Sequence, residues 1–440
     1  MEEHSGLAFL DSGCGDWQGK NSGLFWNPVL WVWEDNLGVW SSTPQGKPTF
    51  MGTDLWAVLR QVMAQEETWP LPEEGMGPLV GYLSYDWAVR NLLPSSPKPL
   101  AVFALYRQGL WLDHGQQRAW LVEEEGRGGV AKRLADKPGE REFRLLAPGI
   151  TARWSAQDYA QAFARVQAYI QAGDCYQINL SQAFTGRWQG HPWPLYERLR
   201  ERSRAPFSAY FAHPFGTILS VSPERLVQLY NGQLEARPIK GTRPRAQDPS
   251  ADRYLAKELQ ESPKDRAENL MIVDLLRNDL GKVALAGSVA VPKLFALESY
   301  DQVHHLVSTI RARLGSGLDG WDALAALFPG GSITGAPKKR AMEIIQELES
   351  LPRGIYCGSL GYMNQHGNMD WNILIRSVEL RHDGYLQFHG GGAVVADSCW
   401  ESEYQECLDK VAVFQRVLEE FLPQPVDLCT VMQFARGELI

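Results

Sequence analysis

From Thr151 onward, strongly marked helices are separated by clusters of strand-like runs, and strands and helices do not alternate regularly. The first helix is predicted to have Ser155 as its cap, with Asp158 placed to complete a capping box. The four helices predicted in this part of the chain begin near residues 155, 262, 337 and 401. Strand-like runs lie between the last two, at 355–363, 369–380 and 385–389. This grouping of strands predicts an α+β fold.

The first 150 residues carry a weaker signal, in which glycine and proline interrupt short apolar runs. This pattern indicates short antiparallel strands with a few helices. A charged segment at 123–144 is predicted to be an exposed loop and is the candidate boundary between subdomains. The predicted division is therefore an N-terminal subdomain (1–150), a main region that carries the motifs below (151–421) and a C-terminal tail (422–440).

Charge and hydropathy exclude several classes of protein. The 440 residues include 43 Lys and Arg against 52 Asp and Glu, a formal net charge of −9, and the basic residues form no long block. This argues against nucleic acid as a partner. The longest apolar stretches are too short for a membrane span and the N-terminus does not resemble a secretory signal, so we expect no membrane association and a cytoplasmic protein. The six cysteines contain no CxxC pair, which favours free buried thiols.

Residues 330–335, called here the glycine-rich loop, precede the third predicted helix. The loop is not a Walker A motif, because Ala336 stands where that motif needs lysine. One interpretation is a flexible turn before a helix. The other is an anion site, built from main-chain N–H groups and the hydroxyls of Ser332 and Thr334.

Charged residues elsewhere also allow two interpretations. Glu403 and Glu406 lie one turn apart beside the apolar stripe of the last helix, and Glu268 lies inside the second. In one interpretation the three glutamates together form a site for a hard metal ion. In the other they lie on helix faces exposed to solvent. Lys240 lies between a strand-like run and a turn, and is either a surface lysine or a buried nucleophile. His305 could bind an anionic ligand, since no zinc motif surrounds it.

Nine segments in order along the chain resemble the chorismate-utilising enzymes. They are SPER (222–225), PIKGTRPR (238–245), DRAEN (265–269), HHLVST (304–309), FPGGSITGAPK (328–338), CGSLGY (357–362), IR (375–376), GGGAVVADS (390–398) and EYQE (403–406). The strong match runs from about 157 to 414. The resemblance implies one intertwined fold of two packed antiparallel sheets, a sandwich with helices outside.

The resemblance also implies the ligands. Chorismate is the substrate, and a Mg²⁺ ion held by Glu268, Glu403 and Glu406 binds its ring carboxylate. Arg376 and Tyr362 would grip the enolpyruvyl carboxylate, and Lys410 would balance charge. The residues implied to bind substrate are Thr242, His305, Thr334, Tyr362, Arg376, Gly391, Gly392 and Lys410.

Within the family, a lysine at position 240 is typical of the enzymes that aminate chorismate at C4, on the route to 4-aminobenzoate and folate. Lys240 would attack C2, with its pKa lowered by Arg243, Arg245 and the metal. Glu224 would act as general acid for the departing C4 hydroxyl. The sequence carries no Cys-His-Glu triad of a glutamine-hydrolysing domain, so ammonia is expected from a partner glutamine amidotransferase subunit, as a heterodimer, or from solution.

Two alternatives stay open. The first is the large subunit of an anthranilate synthase, against which Lys240 argues, because alanine is usual there. The second is a non-catalytic relative that binds tryptophan, since the segments containing Ser12 and Pro206 resemble those lining a tryptophan pocket in this family.

Overall fold

The structure is a computed structural model that describes residues 6–12, 21–66, 75–93, 99–123, 141–300, 303–349 and 351–423. Residues 124–140 of the predicted boundary loop, Cys14, Cys429 and the predicted tail from residue 424 lie outside these ranges. The helices within them are α1 (Leu55–Ala64), α2 (Tyr85–Ala88), α3 (Ala156–Gln171), α4 (Trp193–Ser203), α5 (Pro249–Glu261), α6 (Pro263–Gly281), α7 (Gly320–Leu327), α8 (Lys338–Leu348) and α9 (Trp400–Glu419).

The strands of the described residues form two large antiparallel sheets. The first contains, in spatial order, β10 (Phe143–Leu145), β12 (Gln177–Gly190), β24 (Tyr385–Val394), β23 (Ser377–Arg381), β14 (Gly216–Ser222), β13 (Phe207–His213), β1 (Ala8–Asp11), β2 (Asn21–Phe25), β8 (Gly109–Asp113) and β9 (Arg118–Val122), with β11 (Thr151–Ala152) and β20 (Gly335–Ala336) also paired to β12. The second contains β17 (Ile239–Pro244), β19 (Val303–Arg313), β16 (Gln233–Ala236), β15 (Arg225–Tyr230), β22 (Met369–Asn372), β21 (Ser359–Met363), β6 (Leu79–Leu83), β7 (Ala101–Leu105), β3 (Leu30–Asp35), β4 (Gly38–Ser42) and β5 (Thr49–Gly52), with β18 (Ala290–Ser299) paired to β19.

The two sheets pack face to face. Leu10 and Phe211 from the first sheet and Tyr82 and Val102 from the second share one apolar cluster, because alternate side chains of each strand point inward. Helices α4 and α9 pack against the first sheet, and α1, α6 and α7 against the second. The α+β class and the sandwich with outer helices are thus confirmed.

The caps that the sequence displays mark where the helices begin. Ser155 and Asp158 form the capping box at the start of α3, and Ser262 caps α6. Helix α8 begins directly after Pro337, and α9 begins one residue before the predicted Glu401. The four predicted helices are therefore present within a residue or two of their expected starts.

Strands from both sides of residue 150 pair in both sheets, for example β1 with β13 and β6 with β21. The boundary near residue 150 stays a prediction.

Of the four cysteines in the described ranges, Cys175, Cys357 and Cys407 are buried as expected, whereas Cys399 is exposed. The described helices are all too short or too polar to cross a membrane.

Candidate active site

Lys240, on β17 at one end of the second sheet, extends toward the glycine-rich loop. Its Nζ lies 3.4 Å from the carbonyl oxygen of Ser332. Burial lowers the pKa of this amine, and the ammonium of Lys410 adds to the effect. The carboxylates of Glu268, Glu224 and Glu406 act in the opposite direction. Lys240 is therefore a half-buried residue whose amine lies among carboxylates, and this does not fit the interpretation as a surface lysine.

The pKa of Lys240 was expected to be lowered by Arg243 and Arg245, but the structure gives a different cause. Arg243 Nη2 binds Asp265 at 3.0 Å, and Arg243 also contacts Glu258. Arg245 forms hydrogen bonds with Asp252. Both guanidinium groups are thus neutralised by carboxylates, and removal from water dominates at Lys240 instead.

Glu224 immediately precedes β15 and is 6% exposed. Burial raises the pKa of its carboxyl, while Lys240, the hydroxyl of Ser332 and the main-chain N–H of Ile239 partly oppose this. A carboxyl whose pKa is raised keeps its proton closer to neutral pH, which is what a general acid requires.

Helices α6 and α9 carry three glutamates of this region, of which Glu268 and Glu406 interact with Lys240. Glu403 is 4% exposed and so lies inside the protein, not beside the apolar stripe as the sequence indicated. Its Oε1 accepts a 2.7 Å hydrogen bond from Ser398, and its buried Oε2 has no partner among the described residues. Glu406 is more open and binds Lys410 Nζ at 2.6 Å. Burial raises the pKa of both Glu268 and Glu403.

Gly392 of β24 faces two of these carboxylates, and its neighbour Gly391 contacts Lys410. A Cβ atom on Gly392 would lie 3.0 Å from Glu403 Oε2 and 3.5 Å from Glu406 Oε1. The two carboxylates therefore approach the same point of the main chain, which leaves little space for a side chain. The carbonyl of Gly391 accepts a 2.8 Å hydrogen bond from Lys410 Nζ.

In the described part of the chain, no three His, Cys, Asp or Glu side chains lie close enough as placed to hold a metal ion. The donors nevertheless suit a hard cation, because carboxylate oxygens are the ligands that Mg²⁺ prefers. The unpartnered Glu403 Oε2 and the raised pKa of Glu268 and Glu403 indicate negative charge that the protein only partly offsets. Lys264, 3.9 Å from Glu268, and Lys410 supply part of the missing positive charge.

His305 and Thr242 form a second wall on β19 and β17. Thr242 Oγ1 and His305 Nδ1 are 2.9 Å apart, across paired positions of the two strands. Burial, reinforced by the charge of Arg376, lowers the pKa of His305 to about 4. The ring is therefore neutral at neutral pH and acts as a hydrogen-bonding group.

Arg376 is a half-buried residue that forms no ion pair with a carboxylate of the described residues. It adopts a left-handed backbone conformation, with φ of 53°, and donates a hydrogen bond to the carbonyl of Lys410. Burial lowers its pKa, and no carboxylate of the described residues lies within salt-bridge distance of it. A cation of this kind, which only the more distant Glu406 partly compensates, suits the carboxylate of a ligand.

Tyr362 is not brought together with Arg376, as the resemblance implied. It lines a separate cavity of about 190 Å³, together with Ser12, Pro206 and Asp370. The tyrosine that interacts with Arg376 is Tyr356, whose ring stacks on His389 at a centroid distance of 4.9 Å. Sequence reasoning missed Tyr356, although it immediately precedes one of the matched segments.

The same cavity unites the two segments predicted to form a tryptophan pocket. Ser12 comes from the end of β1, and Pro206 precedes β13, which pairs with β1. The guanidinium of Arg225 forms two 2.8 Å hydrogen bonds with Asp370 at its wall and lies over the ring of Phe207.

The glycine-rich loop is a packed wall of the site and not a flexible turn. Thr334 is fully buried, and its hydroxyl donates to the carbonyl of Gly330 at 3.1 Å. Gly335 has a φ of 150°, and a Cβ there would lie 2.1 Å from the carbonyl oxygen of Gln177. The hydroxyl of Ser332 is a partner of Glu224.

Comparisons with known proteins agree with this site. The family of chorismate binding enzymes matches residues 21–416. Aminodeoxychorismate synthase component 1 of Klebsiella aerogenes is 52% identical over 343 residues, 76% of each chain. The protein of the same name from Salmonella typhimurium is 48% identical over 347 residues, 76% of this chain and 75% of the relative. The crystal structure of anthranilate synthase component I from Streptococcus pneumoniae superposes with a TM-score of 0.79 and 28% identity, over 92% of this chain and 94% of the other.

Proposed function

Because this chain belongs to the family of chorismate-binding enzymes, we propose that it converts chorismate and ammonia into 4-amino-4-deoxychorismate, a step toward 4-aminobenzoate and folate. The observation that carries the proposal is the position of Lys240, a half-buried residue whose amine has a lowered pKa, beside Glu224, a buried carboxyl with a raised pKa. The relatives of highest identity reported above carry the corresponding name.

The reaction proceeds by two displacements in which the ring double bonds shift. The neutral amine of Lys240 forms a bond to C2, and the C4–O bond breaks while Glu224 donates its proton, so that water leaves. Ammonia then forms a bond to C4, the double bonds shift back, and the C2–Nζ bond breaks to release Lys240 as the neutral amine. The ammonium formed at C4 returns one proton to Glu224. Each addition is balanced by one departure, and no oxidant or reductant is needed.

Chorismate carries two carboxylates, and the chain has a net charge of −9, so the site must supply positive charge locally to bind the substrate. Arg376 binds the enolpyruvyl carboxylate, with Tyr356 beside it. Glu268, Glu403 and Glu406 hold Mg²⁺, which supplies the positive charge for the ring carboxylate. Chelation with EDTA should abolish activity and added Mg²⁺ should restore it, whereas full activity in metal-free buffer would contradict the magnesium proposal.

The decisive experiment identifies the product made from chorismate, Mg²⁺ and an ammonium salt at alkaline pH. We expect 4-amino-4-deoxychorismate, separated by chromatography and identified by mass. Formation of fluorescent anthranilate would instead establish the runner-up, an anthranilate synthase large subunit. No consumption of chorismate, together with saturable binding of tryptophan, would favour the non-catalytic alternative.

The cavity that contains Ser12 and Pro206 is proposed to bind tryptophan. Its volume of about 190 Å³ suits a single amino acid. Isothermal titration calorimetry with tryptophan tests this, with tyrosine as the comparison ligand. Heat changes no larger than those of buffer dilution would contradict it.

A further inference from the structure

Arg353 and Glu349 form a buried ion pair beside the site, and neither group takes part in the steps above. Arg353 is 3% exposed. Its Nε and Nη2 donate to the two oxygens of Glu349 at 2.8 and 2.6 Å. Burying a charge costs free energy unless it is paired and hydrogen-bonded, and two-point pairing meets that condition. The pair has further hydrogen bonds, however, that charge neutralisation does not explain.

The other donors of Arg353 bind main-chain carbonyls of two segments that build the site. Nη1 donates to Ile333 at 3.2 Å and Nη2 to Asn179 at 2.6 Å. Ile333 lies between Ser332 and Thr334 in the glycine-rich loop, and Asn179 lies on β12. The N–H of Asn179 donates in turn to the carbonyl of Thr334 at 2.8 Å. The guanidinium therefore lies across the junction between loop and strand.

Glu349 extends the link to the glycines of β24. Its Oε1 accepts hydrogen bonds from both the N–H and the hydroxyl of Ser181, each at 2.9 Å. Ser181 pairs with Gly391, and a Cβ on Gly391 would lie 2.5 Å from the Cβ of Ser181. Because the two strands approach so closely, a shift at Ser181 would move Gly391.

Arg353 also supports an aromatic wall of the site. Its Cζ lies 5.5 Å from the ring centre of Tyr356, and its carbonyl accepts a 3.1 Å hydrogen bond from the N–H of that residue. Tyr356 is the tyrosine that interacts with Arg376. One guanidinium thus contacts three parts of the wall around the substrate.

We propose that Arg353 is a positioning residue that fixes the glycine-rich loop, the β12–β24 strand pair and Tyr356 relative to one another. It does so through other groups and does not touch the reacting atoms. The proposal rests on the proposed function for its consequence, which is the fit of chorismate between these segments. If Arg353 is changed, the affinity for chorismate should fall more than the affinity for Mg²⁺. The reason is that Arg353 forms hydrogen bonds with the glycine-rich loop and β12, whereas the glutamates lie on α6 and α9.

The test is Arg353→Lys, which keeps the positive charge. A single ammonium group cannot replace all the hydrogen bonds of the guanidinium, which go to both oxygens of Glu349 and to the carbonyls of Ile333 and Asn179. We expect the KM for chorismate to rise by about tenfold or more, as for other small misplacements of binding groups. The Mg²⁺ concentration for half-maximal activity should stay within about twofold. Arg60→Lys is the control, because Arg60 also makes a two-point pair, with Asp319, and its hydrogen bonds go to Asp319 and Asp322 and not to the loop or β12.

Hydrogen exchange measured by mass spectrometry provides a readout that does not need turnover. In Arg353→Lys, peptides covering 177–183 and 329–337 should exchange several-fold faster than in the wild type, while 400–419 stays unchanged. A KM equal to wild type, with only a lower melting temperature, would overturn the proposal. So would unchanged exchange in both segments.

Glu349→Gln keeps the side-chain volume and removes only the charge, so it decides the matter if Arg353→Lys does not fold. It should produce smaller changes of KM and exchange in the same direction, and wild-type values would overturn the proposal. A wild-type protein that does not consume chorismate would refute the proposed function instead. The exchange measurement would still report on Arg353 in that case.

Discussion

At the scale of single residues, the site shows how burial prepares two groups for opposite tasks. Lys240 and Glu224 carry opposite charges when ionised, and removal from water disfavours the ionised form of each. Their mutual attraction opposes this effect without reversing it. A neutral amine and a protonated carboxyl are the forms that nucleophilic attack and proton donation require.

The first prediction concerns the amine itself. Lys240→Met keeps most of the side-chain length and removes the nucleophile, so the rate of 4-amino-4-deoxychorismate formation should fall by about a hundredfold or more, while chorismate binding is largely retained. Lys240→Arg is the control for charge, and should be equally inactive. Steady-state kinetics and equilibrium binding measure the two effects. A variant that works at the wild-type rate would mean that ammonia attacks directly.

The second prediction concerns pH. At a constant concentration of unprotonated ammonia, kcat/KM for chorismate should fall toward acid pH, where Lys240 becomes protonated. It should also fall toward alkaline pH, where Glu224 loses its proton, so the profile is bell-shaped. Residual activity of Glu224→Gln should keep the acid limb and lose the alkaline limb. An unchanged profile in that variant would remove Glu224 from its role as general acid.

The roles of the site residues were assigned from the resemblance to chorismate-utilising enzymes, and Tyr356 and Tyr362 show the limit of that approach. Tyr356 and Tyr362 lie six positions apart in one motif-rich stretch, and both are plausible ligands by type. Between them the chain passes through Cys357, whose φ is 64°, before β21 begins. Tyr362 lines the cavity with Ser12 and Pro206, whereas Tyr356 stacks on His389, and sequence spacing alone does not reveal this separation.

At the scale of elements, helices were predicted far better than strand pairing. A helix start depends on a few adjacent residues, such as Ser262 followed by Pro263 at α6, so the signal is local. The order of strands in each sheet depends on partners far apart in the chain, such as β12 and β24. Register across such distances is set by packing, which a single sequence does not display.

The third prediction compares two helix caps. Ser155→Ala and Ser262→Ala each remove a hydroxyl that accepts a main-chain hydrogen bond, and each should lower the free energy of unfolding by about 1 kcal/mol. Only Ser262→Ala should also raise the Mg²⁺ concentration for half-maximal activity, because α6 carries Glu268. Chemical denaturation and Mg²⁺ titration measure the two effects. Equal Mg²⁺ responses would show that α6 does not present a metal ligand.

At the scale of the whole molecule, the sandwich explains why the site residues are scattered along the sequence. Gly391 and Gly392 come from the first sheet, and Lys240 and His305 from the second, near corresponding ends of the two. Two packed sheets bring these residues together although Lys240, His305 and the two adjacent glycines lie far apart in the chain. The resemblance to the family identified most of the site residues. Composition and periodicity alone left residues such as Lys240 with both a structural and a functional interpretation.

The last prediction concerns the source of ammonia. A glutamine-hydrolysing site needs a reactive thiolate within a Cys-His-Glu triad, and the sequence shows no such triad. Burial also raises the pKa of two of the cysteines, Cys357 to about 12 and Cys407 to about 11. We therefore expect the purified chain to use an ammonium salt at alkaline pH and to leave glutamine intact. Addition of a glutamine amidotransferase subunit should make glutamine an efficient donor. Glutamate release and product formation, measured in parallel, test this, and glutamine-dependent synthesis by the chain alone would contradict it.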